Sequence, residues 1–214
     1  MAIEQIESTD GRRLRGARTR HAILSHAARI ASAEGLESVS LQRLADDLGI
    51  SKSGLFAHFG SKESLQLATV DEAARIFTSE VLIPGLRPPR GVARIEALCD
   101  AFISYVKREV FPGGCFFEST GAEFDSKPGP VRDSILERRR YWERSLVRAV
   151  REAQEAGEIK AGVEPEQLGW ELHALLVGAN YDHVSEGGAM PFKRARRAIG
   201  ERLRLAATKR ARKG

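Results

Sequence analysis

Apolar positions recur at helical spacing along most of this chain, and the places where they stop divide it into short pieces. After a polar arm, Ile23, Ala27, Ile30 and Ala31 mark the inward face of a first helix that ends near Gly35. Ser40 is placed to cap a second, with Leu41, Leu44, Ala45 and Leu48 as its buried face. Gly49 supplies a residue free to take a positive φ, and Ser51 caps a third helix that ends at Phe59-Gly60. Ser61 caps a longer one running through Leu65, Val70, Ala73, Ile76 and Phe77. The segment IPGLRPPRG, residues 83–91, is the clearest breaker.

Beyond it, Ile95, Leu98, Phe102, Tyr105 and Val106 predict another amphipathic helix, ended by FPGG. A short segment around Phe116 to Phe124 follows, and SKPGP interrupts the chain again. Ile135, Trp142, Leu146 and Val150 then lie on a long charged helix ending at Gly157. Pro165 opens the next, carrying Leu168, Leu172, Leu175 and Leu176, and Pro191 opens the last, with Ile199 and Leu203 inward. There is no persuasive strand alternation and no long-period repeat. The expected fold is all-α with about nine helices: a helical N-terminal unit and a larger helical C-terminal unit.

The third helix is a poor one. Gly54 in its interior costs about 1 kcal/mol relative to alanine, and Leu55 and Phe59 are few anchors for eight residues. Its place after Gly49-Ile50-Ser51 gives the reason, because two short helices joined by such a turn form a helix-turn-helix. Ile23, Ala27, Leu44, Ala45, Ile50, Leu55 and Phe59 can close a small core, leaving Ser51, Lys52, Ser53, Phe56, Ala57 and His58 on the outward side. A helix so presented fits the major groove. Ser53, Gly54 and Ala57 permit close approach; Ser40, Gln42, Lys52, His58 and Lys62 offer donors, and the helix N-termini at Ser40 and Ser61 can receive phosphate.

The residues TRHAILSHAARIASAEG and SLQRLADDLGISKSGLFAHFGSKESL, within positions 19–65, resemble the DNA-binding domain of the tetracycline-repressor-type (TetR) family of bacterial regulators. The resemblance rests on Thr19-Arg20, Ala27 with Ile30, Gly35, Leu44-Ala45, Gly49-Ile50-Ser51, Leu55, His58-Phe59 and Lys62-Glu63-Leu65. It implies a homodimer with a helical C-terminal domain that binds a small molecule and thereby releases operator DNA. By that match Thr19, Arg20, Ser40, Gln42, Arg43, Ser51, Lys52, Ser53, Gly54, Phe56, Ala57 and His58 lie at the DNA, with Lys62 on a phosphate. Two neighbours depart from the pattern. Phe56 stands where tyrosine is usual, and Ala57 where a larger, often polar, residue is common. The segment GGCFFESTGAEFDSKPGPVRD is similar to a stretch that spans the ligand cavity in some members.

The expected partition is a flexible basic arm at 1–18, the helix-turn-helix domain at 19–64, the effector and dimerisation domain at 65–207, and a basic tail at 208–214. Candidate pocket residues are Phe102, Tyr105, Cys115, Phe116, Phe117, Trp142, Trp170, His173 and Asn180, an aromatic group with few polar handles, Glu118 among them. Any one of these aromatics taken alone reads better as helical core; it is as a group that they suggest a pocket. The small residues Gly169, Ala174, Gly178 and Ala179 permit close helix approach, and with the family's habit point to a dimer face of Trp170, Ala174, Val177, Gly178, Tyr181 and Ile199.

Charge and composition add location rather than chemistry. The net charge is +5, of which residues 193–214 carry +9, leaving −4 on the rest. Arg12, Arg13, Arg15, Arg18 and Arg20 form a second basic run, beside the region expected at DNA. No apolar run reaches the roughly 20 residues of a membrane span, and the N-terminus lacks the apolar centre of a secretory signal. A cytoplasmic protein without membrane attachment is expected. Cys99 and Cys115 make no disulfide framework; Cys115 reads as a core residue, with a thiol sensor as the alternative. His173 and His183 lack metal-site spacing, so no metal is expected, nor any cofactor. A phosphate loop, a nucleophile elbow and an H-E-x-x-H pair are all missing, which argues against an enzyme. The expectation is a transcriptional regulator, most simply a repressor, binding double-stranded operator DNA and an effector of unknown identity. The alternative is an interaction protein whose helix-turn-helix no longer reads DNA.

Overall fold

A computed structural model describes residues 2–209, with side chains from residue 16 onward except that of residue 17. All regular secondary structure among the described residues is helical, apart from an isolated antiparallel bridge between Ile159 and Ala207. Nine helices are formed: α1 (Ala2–Glu34), α2 (Leu41–Leu48), α3 (Lys52–Phe59), α4 (from Lys62–Phe77), α5 (Val92–Lys107), α6 (Phe116–Phe124), α7 (Pro130–Glu155), α8 (Pro165–Glu186) and α9 (Met190–Ala206). The segment expected to be a separate arm is instead the first half of α1, whose 33 residues contain no proline to break it. The last five residues of the expected basic tail, 210–214, lie outside the described residues. Thr208, at its start, is tied down, its N–H donating to Glu158 O at 2.8 Å.

The start signals act as the sequence implies. The Ser40, Ser51 and Ser61 hydroxyls accept the N–H of Arg43, Gly54 and Ser64 at 3.2, 3.2 and 3.1 Å, capping α2, α3 and α4. Gly49 closes α2 in the left-handed region at φ 63°, which a side chain would strain.

The breaker at 83–91 stops the chain later than expected. After Phe77, α4 continues through a π turn, Thr78–Leu82, and one further turn, Ile83–Gly85. Pro84 has no N–H to give and its ring crowds the carbonyl four residues back, so the wider π turn lies where that conflict must be relieved.

Helices α1 and α4 pack together, α4 reaches α7, and α7, α8 and α9 pack in sequence. Glu72 of α4 holds the first of these contacts, accepting from Ser25 at 3.0 Å and Arg75 at 2.8 Å, with His21 Nδ1 2.8 Å away. Burial opposes ionisation of Glu72, but the Arg75 and Ser25 bonds outweigh it and hold the carboxyl below its usual range. One continuous core joins Ile23, Leu44 and Leu55 at the N-terminal end to Phe102, Trp142 and Leu172 at the other.

Candidate nucleic-acid interface and effector site

Helix α3 is held by two buried residues, Leu55 and Phe59, while Ser51, Lys52, Ser53, Phe56, Ala57 and His58 are all exposed and Gly54 half-buried. Ser53, Phe56 and Ala57 stand at i, i+3 and i+4 and so share one surface. Thr19 and Arg20 are exposed on α1, and the Arg20 guanidinium lies 5.3 Å from the Phe59 ring centroid. Arg20, Lys52 and Lys62 are exposed basic side chains on and next to α3, His58 adds an exposed imidazole, and α3 itself carries no carboxylate.

Several predicted donors already have partners. Gln42 donates to Asp46 at 2.9 Å, Lys62 to Glu37 at 3.1 Å, and the Arg43 fork grips Glu34 at 2.5 and 2.7 Å. The Ser40 and Ser51 hydroxyl oxygens are used in capping, so at DNA only their O–H remains to be given. Lys52, Ser53, Phe56, Ala57 and His58 form the surface least committed to the fold.

In the C-terminal domain the predicted pocket aromatics meet, and they meet each other. Phe102 and Trp142 stack at 5.9 Å; Phe116 and Phe117 lie edge to face at 5.2 Å. Phe77, at the end of the regular part of α4, touches Phe102, Tyr105, Phe117 and Trp142. Periodicity alone gave Phe77 only as one more apolar position, although it is the hub. Trp170 does not join them: its ring is 60% exposed on the outer face of α8. Asn180 has a structural task, its Oδ1 accepting the Cys115 N–H at 2.8 Å. The Cys115 thiol is buried and burial pushes it up to about 12, so it sits as a core residue and not as a reactive thiolate.

Beside the aromatics lies a buried polar group. Arg139 donates to both oxygens of Glu118 at 3.3 and 3.2 Å, and His173 lies between Glu118 at 3.4 Å and Glu143 at 3.2 Å. Burial would raise the Glu118 carboxyl, but the His173 and Arg139 contacts more than offset it and hold it below its usual range. His173 Nε2 faces Glu118 without forming a hydrogen bond, and Trp142 Nε1 is buried with no hydrogen-bond partner. Arg139 and Glu143 carried no sequence signal, since on α7 they read as two among many surface charges.

Along α8, Trp170, Ala174, Gly178 and Tyr181 form an exposed stripe, with Val177 half-buried. Ile199 is not on it. It is 4% exposed and turned towards α5, where it lines a cleft of about 290 Å³ with Cys99 and Ile103.

A three-helix reading head on a helical body with an aromatic interior defines a helix-turn-helix transcriptional regulator. Residues 23–69 match the family described as bacterial regulatory proteins, tetR family, and residues 91–199 match the tetracyclin repressor-like C-terminal domain. The chain belongs to the TetR family. It is 25% identical over 148 residues to the transcriptional regulator AcuR of Cereibacter sphaeroides, a match covering 64% of this chain and 66% of that protein. A TetR transcriptional regulator from Chloroflexus aurantiacus J-10-FL superposes with a TM-score of 0.83 at 25% identity, over 90% of this chain and 98% of that one. AibR, solved with isovaleryl coenzyme A and operator DNA, superposes at 0.68 with 23% identity, over 85% of this chain and 97% of its own. No described helix is long and apolar enough to cross a membrane.

Proposed function

We propose that this chain is a cytoplasmic homodimeric repressor that binds a near-palindromic operator and is released by a small molecule held in the C-terminal domain. The observation that carries the DNA reading is α3 itself: two residues anchor it, and a cation-flanked face with no carboxylate of its own is left to solvent. Lys52, Ser53, Phe56, Ala57 and His58 would enter the major groove, and Thr19, Arg20 and Lys62 would meet the backbone, as would the capped N-termini of α2 and α4. Gln42 and Arg43 would exchange their intrachain carboxylates for DNA. Two such heads would lie about 34 Å apart or more along the duplex.

The α8 stripe of Trp170, Ala174, Val177, Gly178 and Tyr181 supports the dimer, since large apolar rings standing in water beside small residues fit a second copy of the same helix. The buried Trp142 Nε1, which has no hydrogen-bond partner and whose ring packs on Phe77 and Phe102, supports the effector site. AibR, of similar fold, was solved in complex with isovaleryl coenzyme A and operator DNA, which supports the reading.

The test is binding of the full chain to duplexes from the region upstream of its own gene, at several salt concentrations. A specific complex that weakens linearly in the logarithm of salt supports the reading. Equal affinity for every duplex would favour the interaction-protein alternative.

A further inference from the structure

Lys52 and His58 aside, the outward face of α3 formed by Ser53, Phe56 and Ala57 is short of groups that can read a base by hydrogen bonding. Ser53 is its one hydroxyl away from the cap, and the two positions stacked beside it, Phe56 and Ala57, offer none. Phe56 is 58% exposed and is the one large apolar side chain left in water among the described residues of the helix-turn-helix domain. Its neighbours Leu55 and Phe59 are 0% and 6% exposed, so the exposure is not a consequence of a loose helix. Arg20 and Lys52, with Lys62 in its pair with Glu37, give the patch a basic setting, which fits a duplex and not an apolar protein partner.

In the major groove the one apolar group a base presents is the C5-methyl of thymine. Resting on the reading that α3 enters that groove, we propose that Phe56 and Ala57 together form a thymine-methyl reader. Sequence choice at the base facing them is then made by apolar contact. Ala57 keeps the backbone close and Phe56 supplies the covering ring. Ser53, one turn earlier on the same surface, supplies the adjacent polar contact. The operator half-site carries a thymine at that position, and the 5-methyl, not the base-pair hydrogen-bonding edge, is what the protein senses.

The test uses duplexes selected from a random pool by the wild-type full chain, with each half-site thymine replaced in turn by deoxyuridine, which removes only the methyl. At one or two positions per half-site the wild type should bind the uracil duplex about fourfold more weakly for a methyl buried against a ring. Phe56→Ala, at an exposed position and therefore expected to fold like wild type, should bind the thymine and uracil duplexes equally. Phe56→Leu should keep most of the discrimination. Enrichment of specific duplexes with no methyl-sensitive thymine would overturn this inference alone, as would undiminished sensitivity in Phe56→Ala. Failure of the wild type to enrich any duplex would overturn the operator reading and this one with it.

Discussion

Glu123, near the end of α6, reaches out of the C-terminal domain and caps the turn that joins α1 to α2. Its two oxygens accept the N–H groups of Leu36 at 2.6 Å and Glu37 at 2.9 Å. Gly35 precedes them at φ +87°, and a Cβ there would come within 2.9 Å of the Glu123 carboxylate. The same stretch is held elsewhere by Gln66, which donates to Leu36 O at 3.3 Å, and by Ser119, which donates to Ser32 O at 3.0 Å. A hydrogen bond to a charged group contributes about 1.5–3 kcal/mol. Both partners here are partly reachable by water, which discounts the pair to about 1–3 kcal/mol in all. Glu123→Ala should therefore lower the melting temperature by roughly 3–9 °C for a chain of this size. Glu123→Gln, which keeps one good acceptor oxygen, should lose less. The sharper readout is amide hydrogen exchange. Leu36 and Glu37 should exchange on the order of tenfold faster in Glu123→Ala, while Leu98 and Phe102 amides in α5 stay protected. Unchanged exchange at Leu36 and Glu37 would refute the claim that α6 clamps the DNA-binding domain through this carboxylate.

Other outcomes follow from the same geometry. Lys52→Ala and Lys62→Ala should each weaken binding to a selected duplex and make it less salt-dependent by about one unit of slope, without altering the melting temperature by more than about 1 °C; wild-type affinity in both would mean the DNA face is misplaced. Because Glu118 and Glu72 are both held below their ordinary value of 4.5, the native state favours their ionised forms, so the stability they contribute is present above that value and lost as the pH falls through the lowered ones. Urea midpoints measured from pH 6 to pH 3 should fall, and less steeply in Glu118→Gln; parallel curves would contradict the assignment. Tyr181→Asp, with Trp170→Asp as a second variant, should shift the sedimentation coefficient from dimer to monomer at micromolar concentration. Gly113→Ala should destabilise by more than about 1 kcal/mol, since a Cβ there would run into the backbone carbonyl of Ser32; a neutral result would be incompatible with that close approach.

The reading head was legible in the sequence because each of its parts is local. Ser40, Gly49, Ser51 and Ser61 act on residues within four positions of themselves, and Leu55 and Phe59 declare the buried side of α3 by spacing alone. The extent of α1 was not legible, because a run of arginines and glycines is compatible with an arm or a helix, and nothing nearby breaks the tie. The same holds for α4 beyond Phe77, where Pro84 signals an end that a π turn postpones. In the C-terminal domain an aromatic at helical spacing is known to be inward without its partners being known. Phe77 became the hub only when α4, α5, α6 and α7 came together, and Trp170, of the same residue type as Trp142, turned to solvent. Ile199 carried no mark to tell an intrachain contact from one between copies, and its partners on α5 are a hundred positions away. Glu123 and Glu37 were invisible for the same reason, since a charge pair across 25 residues and a backbone N–H to carboxylate bond across 86 leave no pattern in the chain.

The scant anchoring of α3 bears on how such a protein changes its target over generations. Two side chains, Leu55 and Phe59, and one hydroxyl, Ser51, meet every requirement the fold places on these eight residues. The remaining positions can be substituted with little penalty to the rest of the molecule, because no other helix depends on them. Duplicated copies of this gene could therefore acquire new DNA targets through a handful of codons while keeping effector and partner unchanged, and drift at Phe56 and Ala57 would be the first place to look for such divergence.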